Sequence, residues 1–82
     1  MPSLQKTLGS EGHRALVQLI TEKRKAAGLT QDDLARILGE HQSFVARLES
    51  GQRRIDVIEY VTISCAIGFD PAVELNKLLD DA

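Results

Sequence analysis

The chain has 82 residues, 43% of them hydrophobic, and a formal net charge of −2 at pH 7. This length fits one small domain with a modest core, and the composition is too apolar for a disordered chain. The apolar runs are too short to span a membrane, and the first ten residues lack the apolar centre of a signal peptide. A single cysteine, Cys65, excludes an internal disulfide and suits a reducing compartment, so we expect a cytoplasmic protein.

The first helix is predicted after a short N-terminal segment. Residues 1–9 are expected to form a flexible arm, and residues 10–82 to form the domain. Ser10 is placed to cap a helix over about residues 11–27, which Gly28 ends. The inner stripe of this helix is predicted to consist of Leu16, Leu19, Ile20 and Ala27.

The middle of the chain predicts two short helices joined by a tight turn. Thr30 followed by Asp33 fits an acidic form of the capping box at the start of helix two. Gly39 follows the last apolar position of that helix, where a left-handed residue commonly ends a helix. A third helix is predicted over about residues 41–49. Two such short helices with so short a link must cross steeply, which is the layout of a helix-turn-helix motif over about residues 30–49.

Two further helices are predicted in the C-terminal part. Asp56 and Glu59 form a capping pair before a fourth helix over about residues 57–67. Pro71, preceded by an aspartate, opens a fifth helix that runs to about Leu79. Helix four is apolar around most of its circumference, so we expect it to be largely buried or to meet a partner. Its apolar residues are Val57, Tyr60, Val61, Ile63 and Ile67.

Charge is distributed unevenly along the chain. Residues 23–54 carry seven basic and four acidic side chains, a net charge of +3. Residues 55–82 carry one basic and six acidic side chains, a net charge of −5. A basic face on an acidic body is compatible with phosphate contact, although a mixed-charge solvated surface would give the same count. The acidic C-terminal third would suit a basic protein partner.

The segments GLTQDDLA, LGEHQSFVARLESG and RRIDVIEY resemble the lambda-repressor-like helix-turn-helix family, the Cro and phage-repressor type, over about residues 14–79. The resemblance implies an all-α fold, a compact five-helix DNA-binding domain in which helices 2 and 3 form the helix-turn-helix. It also implies a sequence-specific transcriptional regulator of repressor type that binds double-stranded DNA. We expect a homodimer through helices 4 and 5 on a two-fold symmetric site, with no cofactor and no metal.

Helix three is then expected to lie in the major groove. The residues expected to contact bases are Gln42, Ser43, Phe44 and Arg47. Glutamine can pair bidentately with adenine, and arginine can bind guanine or a phosphate. Phe44 has the alternative of half-covering the core. The residues expected to contact phosphates are Gln31, His41, Arg53 and Arg54. Arg54 has the alternative of pairing with Asp56 or Glu59.

The resemblance also implies an ion pair between Arg24 and Glu49 that packs helix one against helix three. Such a pair orients the recognition helix more than it adds stability, because desolvation offsets its attraction. The chain departs from the family pattern at Glu40, a position that is usually apolar, and at His41, usually serine or threonine. We therefore expect Glu40 to face solvent and the N-terminal cap of helix three to be weak.

Catalysis is not indicated by the sequence. The two histidines and the cysteine have no metal-binding spacing, and Ser43 beside His41 lacks the third partner of a nucleophilic triad. The main alternative to DNA regulation is a function in protein–protein interaction. The same fold can serve as a protein-interaction module, such as the antitoxin or adaptor subunit of a larger complex.

Overall fold

Residues 10–81, the part of the chain that a computed structural model describes, form five α-helices. The helices are α1 (Glu11–Ala26), α2 (Gln31–Leu38), α3 (Gln42–Glu49), α4 (Val57–Ile67) and α5 (Pro71–Asp81). No strand occurs in the described part of the chain, and none of its helices has the length and apolar character needed to cross a bilayer. The predicted all-α, five-helix architecture is confirmed. The predicted arm over residues 1–9 lies outside the described residues.

Side chains at the predicted positions cap the helix starts. Ser10 Oγ accepts a hydrogen bond of 3.1 Å from a backbone N–H in the first turn of α1. Thr30 and Asp33 form a reciprocal capping box at α2, and Asp56 and Glu59 form the same arrangement at α4. These bonds satisfy N–H groups that the first turn of a helix leaves without an intrahelical partner. Local sequence therefore determines where these helices begin.

The turn between α2 and α3 runs from Gly39 to His41. Gly39 has φ 72° and ψ 29°, the left-handed conformation that glycine adopts without steric cost. The backbone N–H of Glu40 donates to the carbonyl oxygen of Ala35 at 2.8 Å, which closes the C-terminal end of α2. The Glu40 side chain is exposed, as expected, and His41 makes no side-chain hydrogen bond to the start of α3.

Two small clusters of buried side chains hold the helices together. The first joins α1, α3 and α4 and consists of Ile20, Leu48, Tyr60 and Ile63. The second joins α2 to α3 and consists of Leu34, Ala35 and Val45. Ala35 is 1% exposed, and its small side chain allows the two helices of the motif to approach closely. Phe44 is partly buried and packs against both clusters.

The core-facing stripes of α1 and α4 are narrower than predicted. Ala27 lies beyond the last residue of α1 and is exposed, so its predicted place in the inner stripe is wrong. Val57 and Val61 are 74% and 40% exposed, because α4 turns its opposite face, with Tyr60 and Ile63, to the core. Helix α4 therefore carries an apolar surface that nothing in the described part of the chain covers.

Several acidic residues of the C-terminal third are used inside the fold. Glu74 is buried and forms ion pairs with Lys23 at 2.9 Å and Lys77 at 2.8 Å. The hydrogen bonds from Lys77 and Lys23 hold the pKa of Glu74 below its ordinary value. Asp70 Oδ1 accepts the backbone N–H of Ala72 at 2.9 Å and so caps α5. The negative charge of the C-terminal third, which the sequence suggested as a surface for a basic protein partner, is thus partly neutralised within the domain.

Candidate nucleic-acid interface

Four polar side chains form a continuous chain of hydrogen bonds from α1 to the start of α3. Arg24 Nε donates to Glu49 Oε2 at 2.6 Å, and Arg24 Nη2 donates to Glu49 Oε1 at 2.9 Å. Gln31 Nε2 donates to the same Oε1 at 3.0 Å. Gln42 Nε2 in turn donates to Gln31 Oε1 at 2.7 Å. This series of hydrogen bonds leads from a buried arginine to the exposed first residue of α3.

The inner end of this chain is the ion pair between Arg24 and Glu49, the pair that the family resemblance implied. The two side chains are 9% and 7% exposed, and Arg24 Nη1 also donates to the carbonyl oxygen of Leu29 at 2.7 Å. The hydrogen bond with Glu49 raises the pKa of Arg24 above its ordinary value, against the lowering effect of burial. The two-pronged contact fixes the direction of α3 relative to α1.

The outer end of the chain presents two amide groups at the first residues of α2 and α3. Because Glu49 holds the Gln31 N–H, the Gln31 oxygen is turned toward Gln42. The Gln42 oxygen and its second N–H have no partner within residues 10–81, and they form an acceptor–donor pair. An adenine edge in the major groove offers the matching donor and acceptor. The sequence predicts both glutamines as site residues but not their contact, although each opens one helix of the motif.

The other polar residues of α3 extend this surface. Ser43 and Arg47 lie one helical turn apart and are exposed, as is His41 immediately before the helix. Because no side chain caps α3, the positive end of the helix is open to an anionic ligand. We call the surface formed by Gln31, Gln42, Ser43 and Arg47 the reading edge.

Phe44 and Arg53, which the sequence suggested as DNA contacts, are engaged with each other. The Arg53 Cζ atom lies 4.5 Å from the centroid of the Phe44 ring. Arg53 Nη2 also donates to Glu59 Oε2 at 2.9 Å. Of the two arginines, the sequence suggested Arg54 as a possible partner of Glu59, but Arg54 is exposed and Arg53 forms the ion pair. A DNA contact of Phe44 or Arg53 stays a prediction without support from this geometry.

Ion pairs neutralise much of the positive charge counted along residues 23–54. The paired residues are Lys23, Arg24, Arg36 and Arg53. The basic residues of this stretch that are exposed and have no ion pair within the described residues are Lys25, Arg47 and Arg54. Position in the fold, and not the charge count, therefore determines which cations are available to a ligand.

Comparison with known proteins places this arrangement in a family. The chain matches the family model HTH_3, described as helix-turn-helix, over residues 20–73. Among solved structures, it is similar to an XRE-family like protein from Pseudomonas syringae pv. tomato str. DC3000. That match has 44% sequence identity and a TM-score of 0.86, and it covers 95% of each chain.

Two restriction-modification controller proteins are also similar. C.AhdI from Aeromonas hydrophila has 30% identity and a TM-score of 0.67, over 73% of this chain and 91% of that chain. A mutant of C.Esp1396I has 20% identity and a TM-score of 0.78, over 87% of this chain and 95% of that chain. At this identity the match shows a shared fold only. No curated protein matches the sequence. The family match contains α2, α3 and α4 entirely, and the reading edge lies within it. The chain belongs to the HTH_3 helix-turn-helix family, of the XRE and lambda-repressor-like type.

Proposed function

We propose that this protein is a sequence-specific, double-stranded DNA-binding transcriptional regulator. Membership of the HTH_3 family and the likeness to a controller protein at 30% identity support DNA binding in regulation. The observation that carries the proposal is the hydrogen-bonded Gln31–Gln42 pair at the start of α3. Solubility alone does not require an amide group whose direction is fixed, through Glu49, by a buried arginine.

In this proposal α3 lies in the major groove with the reading edge toward the DNA. Gln42, Ser43 and Arg47 contact bases, with Gln42 using its free oxygen and N–H on an adenine. Gln31, the first residue of α2, contacts a phosphate through its remaining side-chain N–H, together with His41 and Arg54. We leave Phe44 and Arg53 out of this set because their side chains already contact each other and the fold.

The protein is further proposed to act as a homodimer through α4 and α5 on a two-fold symmetric operator, as a repressor. The support is apolar surface that remains exposed on both helices. On α4 these residues are Val57, Ile58 and Val61, and on α5 they are Val73, Leu75 and Leu79. Burying such residues between two copies is favourable by about 25 cal/mol for each Å² removed from water. Two half-sites would then lie about one helical turn of DNA apart.

Selection of bound duplexes from a random pool tests the DNA proposal directly. We expect enrichment of a two-fold symmetric sequence, with affinity that falls steeply as salt concentration rises. Arg47→Ala should lower discrimination at one base position by about 1–3 kcal/mol. The matched control is Arg36→Ala, which removes an exposed arginine whose ion pair with Asp32 lies within α2. No enrichment at low salt would refute the proposal.

The dimer is tested separately by sedimentation of the free protein. Ile58 is 74% exposed and belongs to neither buried cluster, so Ile58→Glu should keep the fold and shift a wild-type dimer to monomer. Ile37 on α2 is 55% exposed, so Ile37→Glu makes the same change on a helix outside the proposed interface and should leave the dimer intact. A wild-type monomer at all concentrations, on DNA and off it, would refute this part.

A further inference from the structure

Arg53 lies between the recognition helix and α4, and it contacts both. Its guanidinium stacks 4.5 Å from the Phe44 ring centroid on α3, and its Nη2 donates to Glu59 Oε2 on α4 at 2.9 Å. Its side chain is 30% exposed, and its Nη1 is buried without a hydrogen-bond partner. Stacking on an aromatic ring while holding a carboxylate needs the flat guanidinium that lysine lacks.

Glu59 is itself fixed by the start of α4. Its Oε1 accepts the backbone N–H of Asp56 at 3.0 Å, while Asp56 Oδ1 accepts the backbone N–H of Glu59 at 2.7 Å. The hydrogen bonds from Arg53 and from Asp56 hold the pKa of Glu59 below its ordinary value. The carboxylate is therefore ionised at neutral pH and held in one position, and it anchors Arg53 to the capping box of α4.

We propose that Arg53 is a positioning residue that clasps α3 to α4, and that Arg54 makes the phosphate contact of this arginine pair. The inference rests on the proposed DNA-binding function. Of the five N–H donors of Arg53, the two on Nη1 are enclosed and one on Nη2 is bound, so a two-pronged phosphate contact through Nη1 and Nη2 would require the side chain to leave Phe44 and Glu59. Arg54 is exposed and has no ion pair within the described residues, so it loses nothing by binding an anion.

The clasp acts on specificity because Phe44 directly follows the two residues proposed to read bases. Phe44 also packs against both core clusters, so its ring sets how far α3 projects from the domain. Without Arg53 the ring has no cover on that side, and Gln42 and Ser43 are held less firmly over the base edges. Arg54 is exposed and has no ion pair within the described residues, so it has no such influence on the reading edge.

The test measures binding of the full chain to a selected duplex and to a scrambled one over a range of salt concentrations. Loss of one phosphate contact makes the slope of log K against log salt less steep by about 0.9. We expect this for Arg54→Ala, with similar weakening on both duplexes. Arg53→Ala should leave the slope unchanged and reduce the ratio of selected to scrambled affinity by about 5- to 100-fold, the worth of one base contact.

Two further variants separate a clasp from a simple charge. Arg53→Lys keeps the positive charge but not the flat guanidinium. If Arg53 holds a phosphate, this variant should retain DNA affinity. If Arg53 is a clasp, the variant should lose as much specificity as Arg53→Ala. In a Glu59→Gln background, Arg53→Ala should cost much less additional specificity than in wild type, because the clasp is already weakened. A reduced slope for Arg53→Ala that Arg53→Lys restores would overturn the proposal, as would an unchanged slope for Arg54→Ala.

Hydrogen exchange of the free protein keeps the clasp testable apart from DNA binding. In Arg53→Lys and Arg53→Ala, we expect faster exchange of α3 amides while amides at the centre of α1 keep their protection. Equal protection of α3 in wild type and both variants would refute the clasp even if DNA binding fails. If wild-type protein enriches no duplex but α3 loses protection as expected, the clasp stands and the DNA-binding proposal falls.

Discussion

Removing Glu49 alone should destabilise the domain more than removing Glu49 and Arg24 together. In a Glu49→Leu variant, Arg24 Nε and Nη2 lose their partners, and only the bond from Nη1 to Leu29 remains. The arginine side chain is 9% exposed, so its charge would stay largely desolvated. Breaking a buried pair in this way costs about 3–5 kcal/mol, and we expect about 2–4 kcal/mol here because solvent is close in so small a domain.

The double variant Arg24→Met, Glu49→Leu replaces both ions with apolar side chains of similar size. Its unfolding free energy should lie within about 1 kcal/mol of the wild-type value, because a well-packed apolar pair often stabilises a fold as much as a buried ion pair does. Urea unfolding at constant m value measures the difference, and the single variant should also melt about 10–30 °C lower. Equal destabilisation by the single and double variants would refute the reasoning, since the cost would then come from packing and not from an unpaired charge.

Three further predictions concern the turns, the caps and pH. Thr30→Ala should cost about 1 kcal/mol in unfolding free energy, because it removes the hydroxyl that accepts the Asp33 N–H, whereas Thr30→Ser should be nearly silent. Gly39→Ala should lower the unfolding free energy by about 1–2 kcal/mol because of its φ of 72° alone, since no atom lies within 4 Å of the added Cβ. Gly12→Ala inside α1 should instead raise the unfolding free energy by up to about 1 kcal/mol. Glu59 has a folded pKa below its ordinary value of 4.5, so its stabilising contribution is complete above about pH 4.5 and is lost as pH falls through the folded pKa. The stability difference between wild type and Glu59→Gln in urea melts should therefore shrink from pH 6 to pH 3, and a constant difference would contradict this cause.

Much of the fold was predictable because its signals are local. The caps at Thr30 and Asp56 and the left-handed Gly39 act within a few residues, so they fix helix boundaries without tertiary contacts. The small Ala35 beneath the turn follows from the same local pattern and is buried as the motif requires. The exposed side of α4 was less predictable, because its hydrophobic residues occupy most of the circumference and periodicity cannot say which of them face the core.

The site was predictable as a set of residues but not as a set of contacts. Local pattern and family resemblance identified Gln31, Gln42 and the Arg24–Glu49 pair, yet the bond between the two glutamines requires the steep crossing of α2 and α3. The roles of neighbouring arginines were not distinguishable in the sequence. Arg53 contacts Phe44 and Glu59, whereas Arg54 is exposed, since adjacent residues in a loop point in different directions.

The sequence by itself determined the helices, their caps and turns and the helix-turn-helix motif, since short-range hydrogen bonding and backbone conformation depend on nearby residues. Only the tertiary structure decided which charges remain available. It paired four of the seven basic residues counted along residues 23–54 with carboxylates. Apart from the Arg36–Asp32 pair, which lies within α2, this pairing depends on how the elements of the fold pack together, so net charge along the chain could not reveal it. The usable polar surface is consequently smaller than the charge count suggested, and it is centred on the reading edge.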